Sequence, residues 1–137
     1  PSRGLGDVYK RQFVLDVGLL GAMSELPAES ILEGNDIFVE FKGALTEQYV
    51  LQQLISDTPY TPYYYGNEKA TFEQDFLVQK AKSIVPIEVK AEQNIRSHSL
   101  KTYCEKFQPE EAVRFSTLKY KEQEWMVNIP LYAVCNL

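Results

Sequence analysis

The sequence is poor in the side chains on which many enzymes and metal proteins depend. It has one histidine, His98, and its two cysteines, Cys104 and Cys135, stand in separate segments without a C-x-x-C pair. Histidine-rich metal sites are therefore excluded. Neither a zinc framework nor a disulfide framework is expected.

Long apolar runs and an excess of positive charge are also missing. No run of 18 apolar residues occurs, which excludes a transmembrane helix, and no signal-peptide pattern is visible. We therefore expect a cytoplasmic protein without a membrane partner. The formal charge of −5 argues against a protein that coats nucleic acid by bulk charge, although not against one that cuts it with a metal.

What is present is typical of one folded domain, since the 137 residues are 45% hydrophobic and 24% charged. Residues 1–12 carry +2, from three basic residues against one acid, so that the rest of the chain carries −7. This stretch lacks apolar periodicity and resembles translated adapter sequence. We expect residues 1–12 to be a non-native scar, with a flexible N-terminus as the alternative. Residues 13–137 are expected to form the domain, as a C-terminal fragment of a larger protein.

Hydrophobic spacing predicts a mixed α/β domain. Asp36 begins a long helix that runs to about Ser56, and Ser97 or Ser99 begins a second helix that ends before Pro109. Apolar runs predict an N-terminal strand over 13–15, followed by a turn or short helix, and strands over 61–66, 71–79, 84–91 and 112–116. Ser24 and Pro27 indicate a short helix over 27–33, and residues 125–134 are expected to form a final strand or a docking segment. From residue 36 onward the core order is helix, strand, strand, strand, helix, strand, which predicts a mixed sheet with helices packed on it.

Two predicted strands place like charges opposite each other. A hairpin turn centred between residues 81 and 82 makes paired positions add up to 163, so Asp75 faces Glu88 and Glu73 faces Lys90. Directly opposed carboxylates destabilise a sheet. A divalent cation between Asp75 and Glu88 would relieve this repulsion.

A third carboxylate lies on the inner side of the long helix. Glu47 falls within the stripe of small and apolar residues, and a carboxylate there needs a partner or a cation. If this stripe packs on the charged face of the hairpin, Glu47 joins Asp75 and Glu88 around one point that suits Mg²⁺ or Mn²⁺. Lys90 could then hold a scissile phosphate or a nucleophilic water.

Each of these residues also has a simpler interpretation. Glu88-Val89-Lys90 alone is typical of any half-exposed strand, and Glu47 could pair with a lysine at the edge of its helix. The segment 80–106 is relatively basic and offers phosphate contacts, although a solvated surface explains it almost as well. These candidate nucleic-acid contacts are Lys80, Lys82, Arg96 and Lys101.

Four segments in order resemble the signatures of one family: residues 15–20 (LDVGLL), 41–47 (FKGALTE), 73–78 (EQDFLV) and 86–90 (PIEVK). The family is the C-terminal domain of unknown function of prokaryotic AAA-type ATPases, which is similar to the PD-(D/E)xK nuclease superfamily. The resemblance covers residues 13–134 and implies a restriction-endonuclease-like core in which the helix-strand-strand-strand-helix-strand order recurs.

The resemblance also implies roles for four residues. Glu47 is the helix carboxylate, Asp75 the central metal ligand, Glu88 the second ligand and Lys90 the catalytic lysine. Two features depart from the superfamily pattern: Gln74 stands where it has proline, and no G-x-x-x-x-G-K-[ST] loop occurs. ATP would therefore bind only in an ATPase domain upstream of this chain.

Three functions remain open from the sequence. The first is a Mg²⁺-dependent endonuclease module that hydrolyses DNA phosphodiesters. The second is a non-catalytic module that docks the ATPase to a partner or to DNA. The third is a regulatory, antitoxin-like domain with a nuclease fold. Metal binding separates the first from the second, because a docking surface does not need an intact carboxylate cluster.

Overall fold

The structure, a computed structural model, describes residues 12–25, 36–66, 73–91 and 97–137, and of residues 36–40 it describes the backbone only. The expected scar, apart from Gln12, the expected helix over 27–33 and the candidate contact Arg96 lie outside the described residues. No helix in these ranges is long and apolar enough to cross a membrane.

Three α-helices occur in the described ranges: α1 (Val17–Met23), α2 (Asp36–Asp57) and α3 (His98–Phe107). The side chain of Asp16 caps α1 by accepting the Leu19 N–H at 2.6 Å. Ser97 precedes α3, and Gln108 ends it with a φ of 48°. The predicted long helix and the predicted helix after Ser97 are therefore confirmed.

Six strands form one mixed sheet. They are β1 (Tyr63–Tyr65), β2 (Gln74–Lys80), β3 (Ser83–Lys90), β4 (Val113–Ser116), β5 (Lys121–Glu122) and β6 (Val127–Pro130). The spatial order is β1-β2-β3-β4-β6-β5, in which β3, β4 and β6 run parallel and the other neighbouring pairs are antiparallel. A 3-10 helix (Leu131–Asn136) follows β6. The predicted mixed α/β class is confirmed.

Helices cover both faces of the sheet. On one face, Val50 and Leu54 of α2 pack on a core of strand residues: Phe76, Val78, Val85, Ile87, Val89, Val113, Phe115 and Ile129. On the other face, Leu100 of α3 packs with Ala112 and Met126 in a second cluster. The sheet is therefore the middle of three layers, and polar side chains of β3 and β4 lie beneath α3.

The predicted β2–β3 register is confirmed. Phe76 pairs with Ile87 and Lys80 with Ser83, which leaves residues 81 and 82 as the turn. Because side chains alternate between faces, Asp75, Glu88 and Lys90 lie on the face opposite Phe76 and Ile87.

The predicted strand at residues 13–15 is wrong. Val14 binds the side chain of Gln48 on α2 through its backbone N–H and carbonyl, instead of pairing with a strand. Phe13 packs beside Phe76, with ring centroids 5.7 Å apart. The apolar residues 13–15 therefore dock against α2 and do not join the sheet. The short strand β5 was not predicted, because its two residues are charged and exposed and have no apolar alternation.

Candidate functional site

Glu88 is the most unusual polar residue of the sheet. Its side chain lies on β3 beneath α3, and the residue is only 4% exposed. Its Oε1 is 2.8 Å from the Nζ of Lys90, whereas its buried Oε2 accepts no hydrogen bond from the described residues. Buried polar atoms are nearly always partnered, and a buried carboxylate needs a proton or a cation. The Oε2 atom of Glu88 therefore marks a position suited to a cation.

Lys90 lies two residues further on the same face of β3. Its side chain is 34% exposed, compared with 5% for the side chain of Glu88. The ammonium group therefore compensates the buried carboxylate from the solvent side. It can reach a ligand in solvent without becoming buried.

Asp75 extends the β2–β3 ladder by a side-chain hydrogen bond. Its Oδ2 accepts the backbone N–H of Val89 at 2.8 Å, just beyond the last backbone pair, Phe76 with Ile87. The predicted pairs of Asp75 with Glu88 and of Glu73 with Lys90 lie beyond this last backbone pair. The structure thus brings two of the predicted carboxylates and Lys90 to the same end of the hairpin.

Arg114 is a buried cation that the sequence interpretation missed. It is the register partner of Glu88 across the parallel β3–β4 pair and is 4% exposed. Burial lowers the pKa of its guanidinium, while the charge of Glu88 acts in the opposite direction. A charged residue between Val113 and Phe115, in an otherwise apolar strand, was the available signal, because such a charge needs a partner.

Asn128 continues this polar row to β6. Its Oδ1 accepts hydrogen bonds from Arg114 Nε at 2.9 Å and from Ser116 Oγ at 2.7 Å. Its Nδ2 donates to the carbonyl of Lys119 at 2.9 Å. Arg114 Nη1 also donates to Ser97 Oγ, at 3.3 Å. These hydrogen bonds therefore connect Arg114 to the start of α3 and, through Asn128, to the loop after β4.

Glu47 lies away from this row. It lines a cleft of about 210 Å³ that the N-terminal segment forms against α2, together with Phe13, Val14 and Gln48. The described residues contain no group of three His, Cys, Asp or Glu side chains that could hold a metal ion. The expected cluster of Glu47 with Asp75 and Glu88 is therefore not formed there, because α2 packs on the opposite face of the sheet.

The candidate nucleic-acid contacts do not gather at the site. Lys80 and Lys82 lie at the turn end of the hairpin, and Lys80 pairs with Glu111 at 3.1 Å. At 3.3–3.4 Å per residue, the five residues from Asp75 to Lys80 put this end roughly 17 Å from Asp75. Lys101 lies within 4.0 Å of Glu105 on the exposed side of α3.

A mostly apolar cleft of about 460 Å³ opens where β4 and β6 end. Its lining comes from α2, from the ends of these two strands and from the 3-10 helix: Leu45, Thr46, Tyr49, Ser116, Thr117, Pro130, Leu131 and Tyr132. The carboxyl ends of parallel strands are the usual place for ligands in α/β sheets. The cleft and the Glu88 site thus lie at the same edge.

A family model described as Domain of unknown function (DUF4143) matches residues 42–133. No curated protein and no solved structure matches the chain. The matched range includes Glu47, Asp75, Glu88, Lys90 and Arg114.

Proposed function

The chain belongs to the family of the domain of unknown function DUF4143, and we propose that it is a nuclease-like domain in which Asp75 and Glu88 hold a divalent cation for phosphodiester hydrolysis. DNA is the proposed substrate. An AAA-type ATPase domain, which would bind ATP, is the proposed upstream partner.

The unpartnered Oε2 of Glu88 carries this proposal. It is a buried carboxylate oxygen that accepts no hydrogen bond from the described part of the chain. Mg²⁺ and Mn²⁺ prefer carboxylate oxygens, and Mg²⁺ commonly takes only one or two carboxylates and keeps several waters. Asp75 and Glu88 would supply the two carboxylates for such an ion, and no third protein ligand would be needed.

The arrangement of the elements supports the proposal at the level of fold. From Asp36 to Ser116 the described elements are a helix, three antiparallel strands, a helix and a strand. The last strand, β4, lies parallel to β3. This order resembles the core of restriction-endonuclease-like proteins. Because fold does not fix function, the side chains of the site remain the main support.

The bound ion, Lys90 and Arg114 would each have a different role at the site. A bound divalent ion supplies a Lewis acid for the phosphate and acidifies a water molecule. Lys90, whose side chain is about one-third exposed, would bind a phosphate oxygen and stabilise the negative charge that develops there. Arg114 would place a buried positive charge beside Glu88 on the neighbouring strand.

A non-catalytic docking or regulatory module is the second candidate. Its support is that Lys90 and Arg114 already compensate the charge of Glu88, while three carboxylates do not converge in the described part. In this case the polar row has a structural role, because buried polar groups that are bonded to each other fix the pairing of strands.

Titration with Mn²⁺, followed by thermal unfolding and by cleavage of DNA, tests the proposal. We expect a saturable rise in melting temperature for the wild type and for the control Glu111→Gln. We expect no rise for Asp75→Asn or Glu88→Gln. Lys90→Ala should still bind Mn²⁺ but lose cleavage, roughly 10²-fold or more.

Two outcomes would contradict the nuclease proposal. A Mn²⁺-dependent shift that persists in Glu88→Gln would place the ion elsewhere. The absence of any shift up to about 10 mM Mn²⁺, well above the affinity of most protein sites, would favour the docking module.

A further inference from the structure

The polar row of the sheet ends in a lysine on the outer strand. Glu88, Arg114 and Asn128 are successive register partners across β3, β4 and β6, and Asn128 pairs in turn with Lys121 of β5. Register partners point to the same face of a sheet, so Lys121 lies on the face that carries Glu88 and Lys90. Lys121 is exposed, whereas Arg114 and Asn128 are buried. The row therefore runs from a buried carboxylate to a cation in solvent.

The loop between β4 and β5 is bonded to this row. The backbone N–H of Leu118 donates to Ser116 Oγ at 3.2 Å, and Asn128 Nδ2 donates to the carbonyl of Lys119 at 2.9 Å. Ser116 Oγ in turn donates to Asn128 Oδ1 at 2.7 Å, and both residues are at most 1% exposed. Two buried side chains thus fix the backbone of the loop. They place the exposed residue Lys119 on the same face of the sheet as Lys90.

The acidic residue of β5 lies on the other face. Glu122 pairs with Val127, whose side chain packs against the core beneath α2. The hydroxyl of Tyr120 donates to Glu122 Oε1 at 2.5 Å. Neither Lys119 nor Lys121 forms an ion pair with another described residue. The two lysines therefore add positive charge to the Lys90 face without a carboxylate partner from the described part of the chain.

We propose that Lys119 and Lys121 bind phosphates of a DNA strand whose scissile phosphate lies at Lys90. This inference rests on the proposed function, because it takes Lys90 as the position of the reacting phosphate. Neighbouring strands lie about 4.8 Å apart, so the three steps from β3 to β5 span roughly 14 Å. At about 3.4 Å of helix axis per nucleotide, this span corresponds to roughly four nucleotides of one strand. The DNA strand therefore crosses β4 and β6 between these lysines.

This path differs from the one that the basic segment 80–106 suggests. Lys82 lies at the turn end of the hairpin, and Lys101 lies on the exposed side of α3 near Glu105. Lys119 and Lys121 follow that segment in the sequence and reach the site through the register of β5. Lysine contacts to phosphates position a strand and carry no sequence information. Binding along this path should therefore not depend on base sequence.

Fluorescence anisotropy with the 137-residue chain and a labelled duplex of about 20 base pairs tests the path, in EDTA so that no metal chemistry contributes. Lys119→Ala and Lys121→Ala should each reduce the slope of log affinity against log salt by about 0.9, as the loss of one phosphate contact predicts. Extrapolated from 1 M salt, this slope corresponds to roughly eightfold weaker binding at 0.1 M. Lys82→Ala removes an exposed lysine at the distant turn, and this matched control should bind like the wild type.

Ser116→Ala tests the loop without removing a charge. It deletes the acceptor of the Leu118 N–H and should weaken binding of the duplex less than Lys119→Ala does. If Ser116 acts by positioning Lys119, the double variant Ser116→Ala/Lys119→Ala should bind no more weakly than Lys119→Ala alone. A full additional loss in the double variant would contradict this positioning role.

Lys119→Ala and Lys121→Ala variants that bind like the wild type would overturn the inference. It would also be overturned if the wild type bound no duplex at about 100 μM protein, the weak end of non-specific DNA binding. A larger loss in Lys82→Ala would place the DNA along the hairpin turn instead. Binding that depends on both lysines, without a Mn²⁺-dependent shift or cleavage, would refute the proposed nuclease function alone. Cleavage in Mn²⁺ that neither lysine variant changes would refute the path alone.

Discussion

The side chain of Gln48 binds both backbone polar groups of Val14. Its Oε1 accepts the Val14 N–H at 3.0 Å, and its Nε2 donates to the Val14 carbonyl at 2.8 Å. Gln48 is 1% exposed, so these bonds replace water inside the protein. The amide side chain of Gln48 thus satisfies the backbone polar groups of the N-terminal segment, as a neighbouring strand would in a sheet.

Gln48→Ala should therefore lower the free energy of unfolding by about 2–3 kcal/mol, because it removes two hydrogen bonds and leaves Val14 unsatisfied. Gln52→Ala is the matched control on the same helix, since Gln52 accepts one bond, from the Val17 N–H. Gln52→Ala should lower the free energy of unfolding by about half as much as Gln48→Ala. Urea unfolding measures both values, and equal losses would contradict the two-bond account.

Replacing the buried carboxylate of Glu88 should lower the free energy of unfolding far more than replacing an exposed carboxylate. Glu88→Ala removes a buried carboxylate that lies beside the buried Arg114 and pairs with Lys90, and breaking a buried ion pair typically costs about 3–5 kcal/mol. Glu111→Ala breaks the ion pair with Lys80, whose side chains are both about one-third exposed, and should cost less than about 1 kcal/mol. Thermal unfolding in EDTA compares the two variants. Similar losses would mean that Glu88 is readily solvated.

The hydrogen bond from the Val89 N–H to Asp75 should be visible in amide exchange. Asp75→Ala removes the acceptor and should speed exchange of the Val89 amide roughly tenfold, as expected for about 1–1.5 kcal/mol. Asp75→Asn keeps an acceptor oxygen and should retain most of the protection. Exchange in β6 should not change in either variant, and unaltered exchange at Val89 would exclude the bond.

The turn between β2 and β3 offers a stabilising substitution. Ala81 has a φ of 55°, a region that is costly for residues with a Cβ atom and free for glycine. Ala81→Gly should raise the stability by about 0.5–1 kcal/mol, after the entropy cost of glycine. Lys82→Gly should lower it, because residue 82 has no positive φ to relieve. A reversed order in thermal unfolding would contradict the turn geometry.

The two thiols should react at different rates. Burial raises the pKa of the Cys104 thiol, with a smaller contribution from the charge of Glu105, whereas Cys135 is exposed. A raised pKa leaves less thiolate at pH 8, and the thiolate is the reactive form. A disulfide reagent should therefore modify Cys135 first. Cys135→Ser should retain only the slow phase, and a remaining fast phase would contradict this order.

Local patterns in the sequence predicted much of the hairpin. A two-residue turn fixes the register of β2 and β3, so counting from residues 81 and 82 was enough to pair Phe76 with Ile87. The helices could be predicted for a similar reason, because apolar spacing and capping residues act within a few positions.

The other half of the site depends on contacts that the local pattern does not encode. Arg114 meets Glu88 through a parallel pair, whose register is set by tertiary packing and not by a turn. The periodicity of α2 shows that Glu47 lies near the helix's inner stripe. It does not show which face of the sheet that stripe covers. The local patterns therefore described the stripe of α2 and the register of the hairpin, but the expectation for Glu47 placed α2 on the wrong face of the sheet.

The pairing of Glu88 with Arg114 has a consequence for the order of folding. The hairpin that brings Asp75 to Glu88 closes through a tight turn, an event that takes about 1–10 μs in peptides. Arg114 arrives only after α3 has crossed over and β4 has docked, and such distant parallel pairing is intrinsically slow. During refolding the acidic pair therefore exists before its buried cation. The docking of β4, and not the closing of the hairpin, sets the time at which the complete site appears.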